Sequence, residues 1–401
     1  MCLVQQATSL VQIQPPLKRL ACFAHTLQLC VRDGLKEANM NTALAKISKI
    51  CSLLHTNTVF KDVFEIRFGP NVTIPQVTST RWNSTLHCIN AFLELDEERV
   101  RRVLDDVNQT NLVPSAREYS QLKELSHVLQ PFLEATTVVQ GDKGVTISAV
   151  VPSVVGLYHH LQHLQPVYLD SMVAALRDSL ETRFAGILVI AGLLPLIKSE
   201  KPLDFHDYIY FIAAVLDPNF HFWWLQKISD NEEETAALKE KVLSELQHFC
   251  STLKKNRPGL LSLPSQPSST EVVSEGTPPQ KKKACVSTSL FAYFKPNTGT
   301  SSDSDLTQLD FAAEMQYYSS LVLQSSELSP VNVLRFWGRH RKELRLLSAA
   351  ALSVFLVPAS SAPVEQVFSE GGILMRPHCP RLEANCVEKL VFLKCNLDKF
   401  E

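Results

Sequence analysis

Apolar residues recur at intervals of three and four along most of the chain, the period of a helix with one buried face. In the stretch CFAHTLQLCVRDGLKEA, Phe23, Leu27, Cys30, Val31 and Leu35 share a face, which predicts a helix there. Leu176, Leu180 and Phe184 in LRDSLETRFAG repeat in the same way. Nearer the C-terminal end, Ser329 and Pro330 suit an N-cap and first turn, and Val331, Leu334 and Trp337 line one face as far as Gly338. A second helix is expected from about Arg341, burying Leu344, Leu347, Ala351, Val354 and Phe355; a last one carries Val387, Leu390, Val391 and Leu397. Alternation of period two, the mark of a half-buried strand, is confined to short pieces such as residues 72–77. The fold class that follows is mainly α, with no repeat of solenoid period.

The periodicity breaks between Asn256 and about Ser304, where Pro, Ser, Thr and Gly take over. Too few large apolar groups remain there to offset the entropy of ordering, so a disordered linker is expected over residues 255–304. Its Lys281, Lys282 and Lys283 have the form of a weak nuclear-import signal, or are simply solvated lysines. The longest apolar run, residues 187–197, is interrupted by Gly192 and Pro195 and is too short to span a bilayer. The first sixteen residues have neither the basic nor the long apolar region of a signal peptide. No membrane is expected among the partners, and the expected location is the cytosol or nucleus.

Composition narrows this only a little. With 401 residues, 45% hydrophobic and 20% charged, and a formal charge of -2, the chain has room for two or three domains and no global basic field. Ten cysteines without a C-x-x-C pair read as reduced thiols. Cys22 and His25, one helical turn apart, are either half of a metal site or a structural pair; no second pair lies at useful spacing, which favours the structural reading. His159 and His163 at i, i+4 also face one way, without the acid of a protease motif. Asp217 with Pro218 reads as a turn former, and Trp223 and Trp224 as core. The segment RFWGRHRKELR interleaves aromatic and cationic residues, which suits either a nucleic-acid backbone or a helix with one buried side. Glu365 follows Ser360, Ser361 and Pro363, as an acid in the first turn of a helix does.

Three pieces, in order, resemble the transposases of the hAT superfamily and the domesticated proteins derived from them. They are CFAHTLQLCV with Cys22 and His25, TRWNST with Arg81 and Trp82, and PASSAPVEQVFSEGGILMRP preceded by NVLRFW. The third is the most specific, and its SSAPVE context is similar to that of vertebrate zinc finger BED domain-containing proteins, with Gln366 at the family's usual arginine position. The resemblance implies an RNase H-like catalytic fold interrupted by a large helical insertion, with Glu365 matching the last catalytic acid. In intact members two earlier aspartates join that glutamate to hold two divalent metal ions.

The family places its second aspartate shortly before the C-x-x-H helix, whereas residues 1–32 hold no Asp or Glu and the first acid is Asp33. The clustered Cys and His ligands of a BED finger are likewise not seen ahead of that helix. We therefore expect no enzyme, a vestigial Glu365, an incomplete Mg²⁺ or Mn²⁺ site and no cofactor. The expected organisation is an RNase H-like remnant over residues 1–35, an all-helical insertion over 36–254, the linker, and a hAT dimerisation region over 305–401. Self-association is expected through Leu334, Trp337, Leu344, Leu347, Val354, Phe355 and Leu390. Arg81 and Trp82 are the DNA-binding candidates, Trp82 because a flat ring stacks on an unpaired base. The expected role is that of a nuclear interaction factor associated with DNA or chromatin proteins. The alternatives are a fragment of an active strand-transferase and a DNA-binding protein without catalysis.

Overall fold

The computed structural model describes residues 20–77, 82–141, 144–196, 202–229, 231–256, 303–325, 331–362, 365, 367–368 and 384–395. The expected linker and Lys281 to Lys283 lie almost wholly outside them, as do Arg81, Ser329, Pro330 and Leu397. Among the described residues every regular element is a helix, and residues 72–77 form an irregular strap, not a strand. No helix among these residues is long and apolar enough to cross a membrane.

The N-terminal body holds α1 (Phe23–Lys36), α2 (Asn41–Thr56), α3 (Thr58–Phe68), α4 (Trp82–Leu93), α5 (Glu97–Asp106), α6 (Ala116–Val139), α7 (Val150–His163), α8 (Asp170–Arg183) and α9 (Ala185–Ile190). The helix starts follow local chemistry. At α6, Ser115 Oγ accepts the Glu118 amide and the Glu118 carboxylate accepts the Ser115 amide, a reciprocal capping box. At the start of α8, Glu124 from α6 accepts the amides of Val167, Tyr168 and Leu169. Helix α1 packs closely on α8, where a Cβ on Gly34 would lie 2.5 Å from Leu176 Cγ. Phe23, Phe184 and Phe205 close this interface, with Phe23 and Phe184 centroids 5.3 Å apart.

The chain continues through α10 (Tyr208–Leu216) and α11 (Glu232–Asn256), then α12 (Asp303–Ser325), α13 (Val333–Arg339), α14 (Arg345–Phe355) and α15 (Ala384–Cys395). Residues 210–216 of α10 are all buried, so its last carbonyls are out of reach of water and need protein donors. The C-terminal region supplies them. Tyr318 of α12 donates its hydroxyl to the Val215 carbonyl (3.0 Å), and Trp337 of α13 donates its indole N–H to the Leu216 carbonyl (2.9 Å). Asn219 clamps Val331 by two hydrogen bonds, accepting its amide (2.7 Å) and donating to its carbonyl (2.9 Å).

One apolar cluster runs from Phe23 to Ala359, so the core is continuous across the boundary expected at residue 35, and residues 23–35 are helical. The last helices also differ in detail from the sequence expectation. Asn332 caps α13 by accepting the Arg335 amide, and the helix runs through Gly338 to Arg339. Residues 341–343 turn, and α14 begins at Arg345 because Glu314 of α12 accepts the amides of Leu346 and Leu347.

Trp337→Ala removes a fully buried ring and leaves the Leu216 carbonyl without its donor, and is expected to cost about 3–5 kcal/mol in urea unfolding. Tyr318→Phe, which keeps the ring and deletes one hydrogen bond, is expected to cost about 0.5–1.5 kcal/mol.

Candidate functional site at the Cys22 junction

Two motifs 339 residues apart meet at the start of α1. The Phe23 amide donates to the Ala359 carbonyl (2.8 Å), and the Ala359 amide donates to Thr146 Oγ1 (3.0 Å), fixing residues 359–361 against the helix end. Cys22 is the N-cap residue of α1, and its sulfur accepts the Ser361 amide at 3.3 Å. Ser361 Oγ lies 3.3 Å from that sulfur and 2.8 Å from Glu365 Oε1, so its one proton serves either neighbour. Ser360 is buried and accepts the Ala362 amide.

The electrostatics of Cys22 follow from this setting. Burial pushes its thiol up, but hydrogen bonds from the Ser361 hydroxyl and amide, the His25 amide and Ser360 outweigh burial and bring it below the ordinary thiol value. By contrast burial pushes Cys30, Cys88 and Cys250 up to about 12. His25 is exposed one turn along α1, and Glu365 is exposed beyond Ser361.

Below the junction lies an open groove of about 990 Å³ between α1 and α8, lined by Cys22, His25, Asp33, Asp178, Arg183 and Asp204 among others. Asp33 is not a free acid there. It accepts from Arg183 (2.7 Å), Lys36 (3.0 Å) and Ser179 (3.1 Å), and these partners hold its carboxyl well below the usual carboxylate range. The sequence carried a trace of this clamp in the Asp33 and Lys36 spacing along one helix; the Arg183 partner comes from α8, 150 residues away.

The donor set does not suit the metal pair that the family resemblance implies. Hard divalent cations take several oxygen ligands, whereas Glu365 is hydrogen-bonded to a serine that also contacts a thiol, and Asp33 is held by two cations. Among the described residues no three His, Cys, Asp or Glu side chains converge to hold a metal ion. His159 and His163 stack with ring centroids 4.0 Å apart, and the His163 Nδ1–H donates to the His159 carbonyl.

Trp82 is half-buried at the first residue of α4 and packs on the core. Of the residues expected to pair two chains, Trp337, Leu344, Leu347 and Val354 are fully buried within their own chain, and Phe355 is half-buried against the same core. Their periodicity reported a buried face correctly, but the face is covered by α10, α11 and α12 of the same chain, which corrects their assignment to a partner. Leu334 and Leu390 are exposed. Asp217 is more than a turn former: it is buried and accepts from Ser148 at 2.6 Å and twice from Asn219, tying the turn after α10 to the start of α7. Trp224 is core, whereas Trp223 is 38% exposed.

Two outcomes follow from the junction. Cys22 is expected to alkylate faster than Cys30, Cys88 and Cys250 in peptide-resolved iodoacetamide labelling near neutral pH, and Ser361→Ala is expected to narrow that lead. Asp33 has a folded pKa below its unfolded value, so its stabilisation is present above the usual carboxylate range and lost as pH falls through and below about 4. Asp33→Asn is thus expected to lower Tm at neutral pH, with the gap to the unaltered protein closing in acid.

Family models place this geometry. The ZBED1 RNase-like helical domain matches residues 20–128, which include the Cys22 helix. The hAT family C-terminal dimerisation region matches residues 314–397, which include the Ser360 turn and Glu365. The human zinc finger BED domain-containing protein 4 is 24% identical over 386 residues, covering 94% of this chain and 29% of that protein, so the chain spans under a third of the relative's length. The chain thus carries, in that order, segments similar to the ZBED1 RNase-like helical domain and to the hAT family C-terminal dimerisation region.

Proposed function

We propose that the protein is a self-associating, DNA- or chromatin-associated nuclear factor that pairs through its C-terminal region and does not cut DNA. The observation that carries the pairing is apolar surface left uncovered within that region. Leu356 is 83% exposed, Phe368 72%, Phe392 59% and Leu393 51%, with Leu390 and Val367 beside them in sequence. Large apolar side chains at this density are uncommon on a surface that faces only water, and a second copy is the partner for which a dimerisation region is built. The apolar positions buried inside the chain then serve to hold α13 and α14 in place, so that the exposed ones are presented on a fixed support.

The absence of cutting is supported by the company Glu365 and Asp33 keep. A general role for either in two-metal chemistry would need carboxylate oxygens free to converge on a cation. Glu365 instead shares a hydroxyl with Cys22, and Asp33 is consumed by its cationic neighbours. The nuclear setting rests on the likeness to the human zinc finger BED domain-containing protein and on Lys281 to Lys283.

Sedimentation of the full chain at tens of micromolar is expected to show a dimer, and Leu390→Asp with Leu393→Asp is expected to shift it to monomer by at least tenfold in Kd without changing its circular dichroism. A strictly monomeric unaltered protein would overturn the pairing. Strand cleavage of duplex DNA in Mg²⁺ or Mn²⁺ that is lost in Glu365→Gln would instead establish the catalytic reading.

A further inference from the structure

The turn between α13 and α14 is rich in cations. Residues 335–345 hold Arg335, Arg339, Arg341, Lys342 and Arg345 against the single acid Glu343, in a chain whose total charge is -2. All five cations are exposed, while Phe336, Trp337 and Leu344 between them are buried. The buried residues therefore act as the root that holds the cations on one outward face. Arg335 and Arg339 are one turn apart on α13, and Arg345 opens α14.

The tertiary structure adds to this face. Glu314, whose carboxylate accepts the amides of Leu346 and Leu347 at the start of α14, also raises the Cys250 thiol through its charge, so α11 passes beside that helix start. Lys254 and Lys255 are exposed on α11 one turn beyond Cys250. These two lysines thus lie on a helix that packs against α14.

Within the ridge of residues 335–345 five cations stand against one acid, Glu343. Some cations elsewhere are matched, Lys46 with Glu118, Lys61 with Glu65, Arg102 with Glu98, Lys123 with Glu97 and Arg183 with Asp33. Among the described residues, Arg335, Arg339, Arg341, Lys342, Arg345, Lys254 and Lys255 form no ion pair, and Glu343 faces His340 at 3.9 Å. Arg345 even sits at a helix N-terminus, the end that disfavours a cation. Fold stability gives no reason to gather like charges in this way, but a polyanion does, since each phosphate neutralised releases condensed counterions.

We propose that the ridge formed by Arg335, Arg339, Arg341, Lys342 and Arg345 is a docking surface for the phosphodiester backbone of duplex DNA. It rests on the reading of the protein as DNA-associated and gives that reading a place distinct from Arg81 and Trp82. The contacts are to phosphates, so binding is insensitive to base sequence and steeply dependent on salt. Its position within the matched dimerisation region would give a paired molecule two such ridges.

The test is fluorescence anisotropy of the full chain with a labelled 20-base-pair duplex of arbitrary sequence, from about 25 to 200 mM salt. The triple variant R339A/R341A/K342A is expected to lose at least tenfold in affinity at the lowest salt, with the slope of log K against log salt shallower by about 0.9 for each phosphate contact removed. The triple variant K61A/R102A/K123A, which removes three paired cations and the same net charge, is expected to bind as the unaltered protein does. R341E alone provides the same reading should the first variant melt early. Equal loss in both triple variants, or none in the ridge variant, overturns the ridge while leaving DNA association standing. No binding by the unaltered protein at the lowest salt overturns both, and sedimentation of the same samples reads self-association separately.

Discussion

The structure depends on the carbonyl end of α10. A helix whose last residues are all buried presents acceptors that water cannot satisfy, and each unpartnered one costs about 1–3 kcal/mol. Here the donors are the hydroxyl of Tyr318 and the indole of Trp337, both from beyond the linker, with His221 Nδ1 adding a third from the turn itself. The Asp217 turn completes the arrangement by binding Ser148 in front of α7 and, through Asn219, Val331 in front of α13. Removing the C-terminal region would therefore uncover polar groups as well as apolar surface, and the helical body and dimerisation region form one cooperative core.

That dependence explains the disposition of the C-terminal apolar residues. Trp337, Leu344, Leu347 and Val354 are consumed in docking onto the body, which leaves Leu356, Phe368 and the exposed side of α15 for a partner. The same docking sets out the basic ridge, because Phe336 and Trp337 anchor α13 while its arginines point outward. Support and presentation are thus two sides of the same short helices.

The Cys22 junction is secured by the same region. Residues 359–361 bind the start of α1 through the backbone, and Ser361 bridges the Cys22 thiol and the Glu365 carboxylate. In its present form the bridge is a local hydrogen-bond relay that lowers the Cys22 thiol, while the adjoining Asp33 is locked by Arg183 and Lys36.

Much of this was legible from periodicity and motif. The α1 face of Phe23, Leu27, Cys30 and Val31, the α8 face of Leu176 and Leu180, and the mainly helical class are local properties, because a 3.6-residue repeat states which side of a helix must be buried. The three motifs likewise fall within the segments that the two family models match. What periodicity leaves open is what covers a face: Trp337 and Val354 scan alike whether their neighbour is the same chain or another, and only the packing of α10, α11 and α12 decided for the former. Ser361 was legible as part of the SSAPVE motif and as a helix-start residue, but not as a partner of Cys22, because that cysteine lies 339 residues away. The sequence by itself determined the helices and their buried stripes, and marked the basic segment of residues 335–345, all encoded at short range; the tertiary structure decided the carbonyl caps of α10, the Asp33 clamp and the Cys22 junction, because each joins groups that only chain closure brings within a few ångströms.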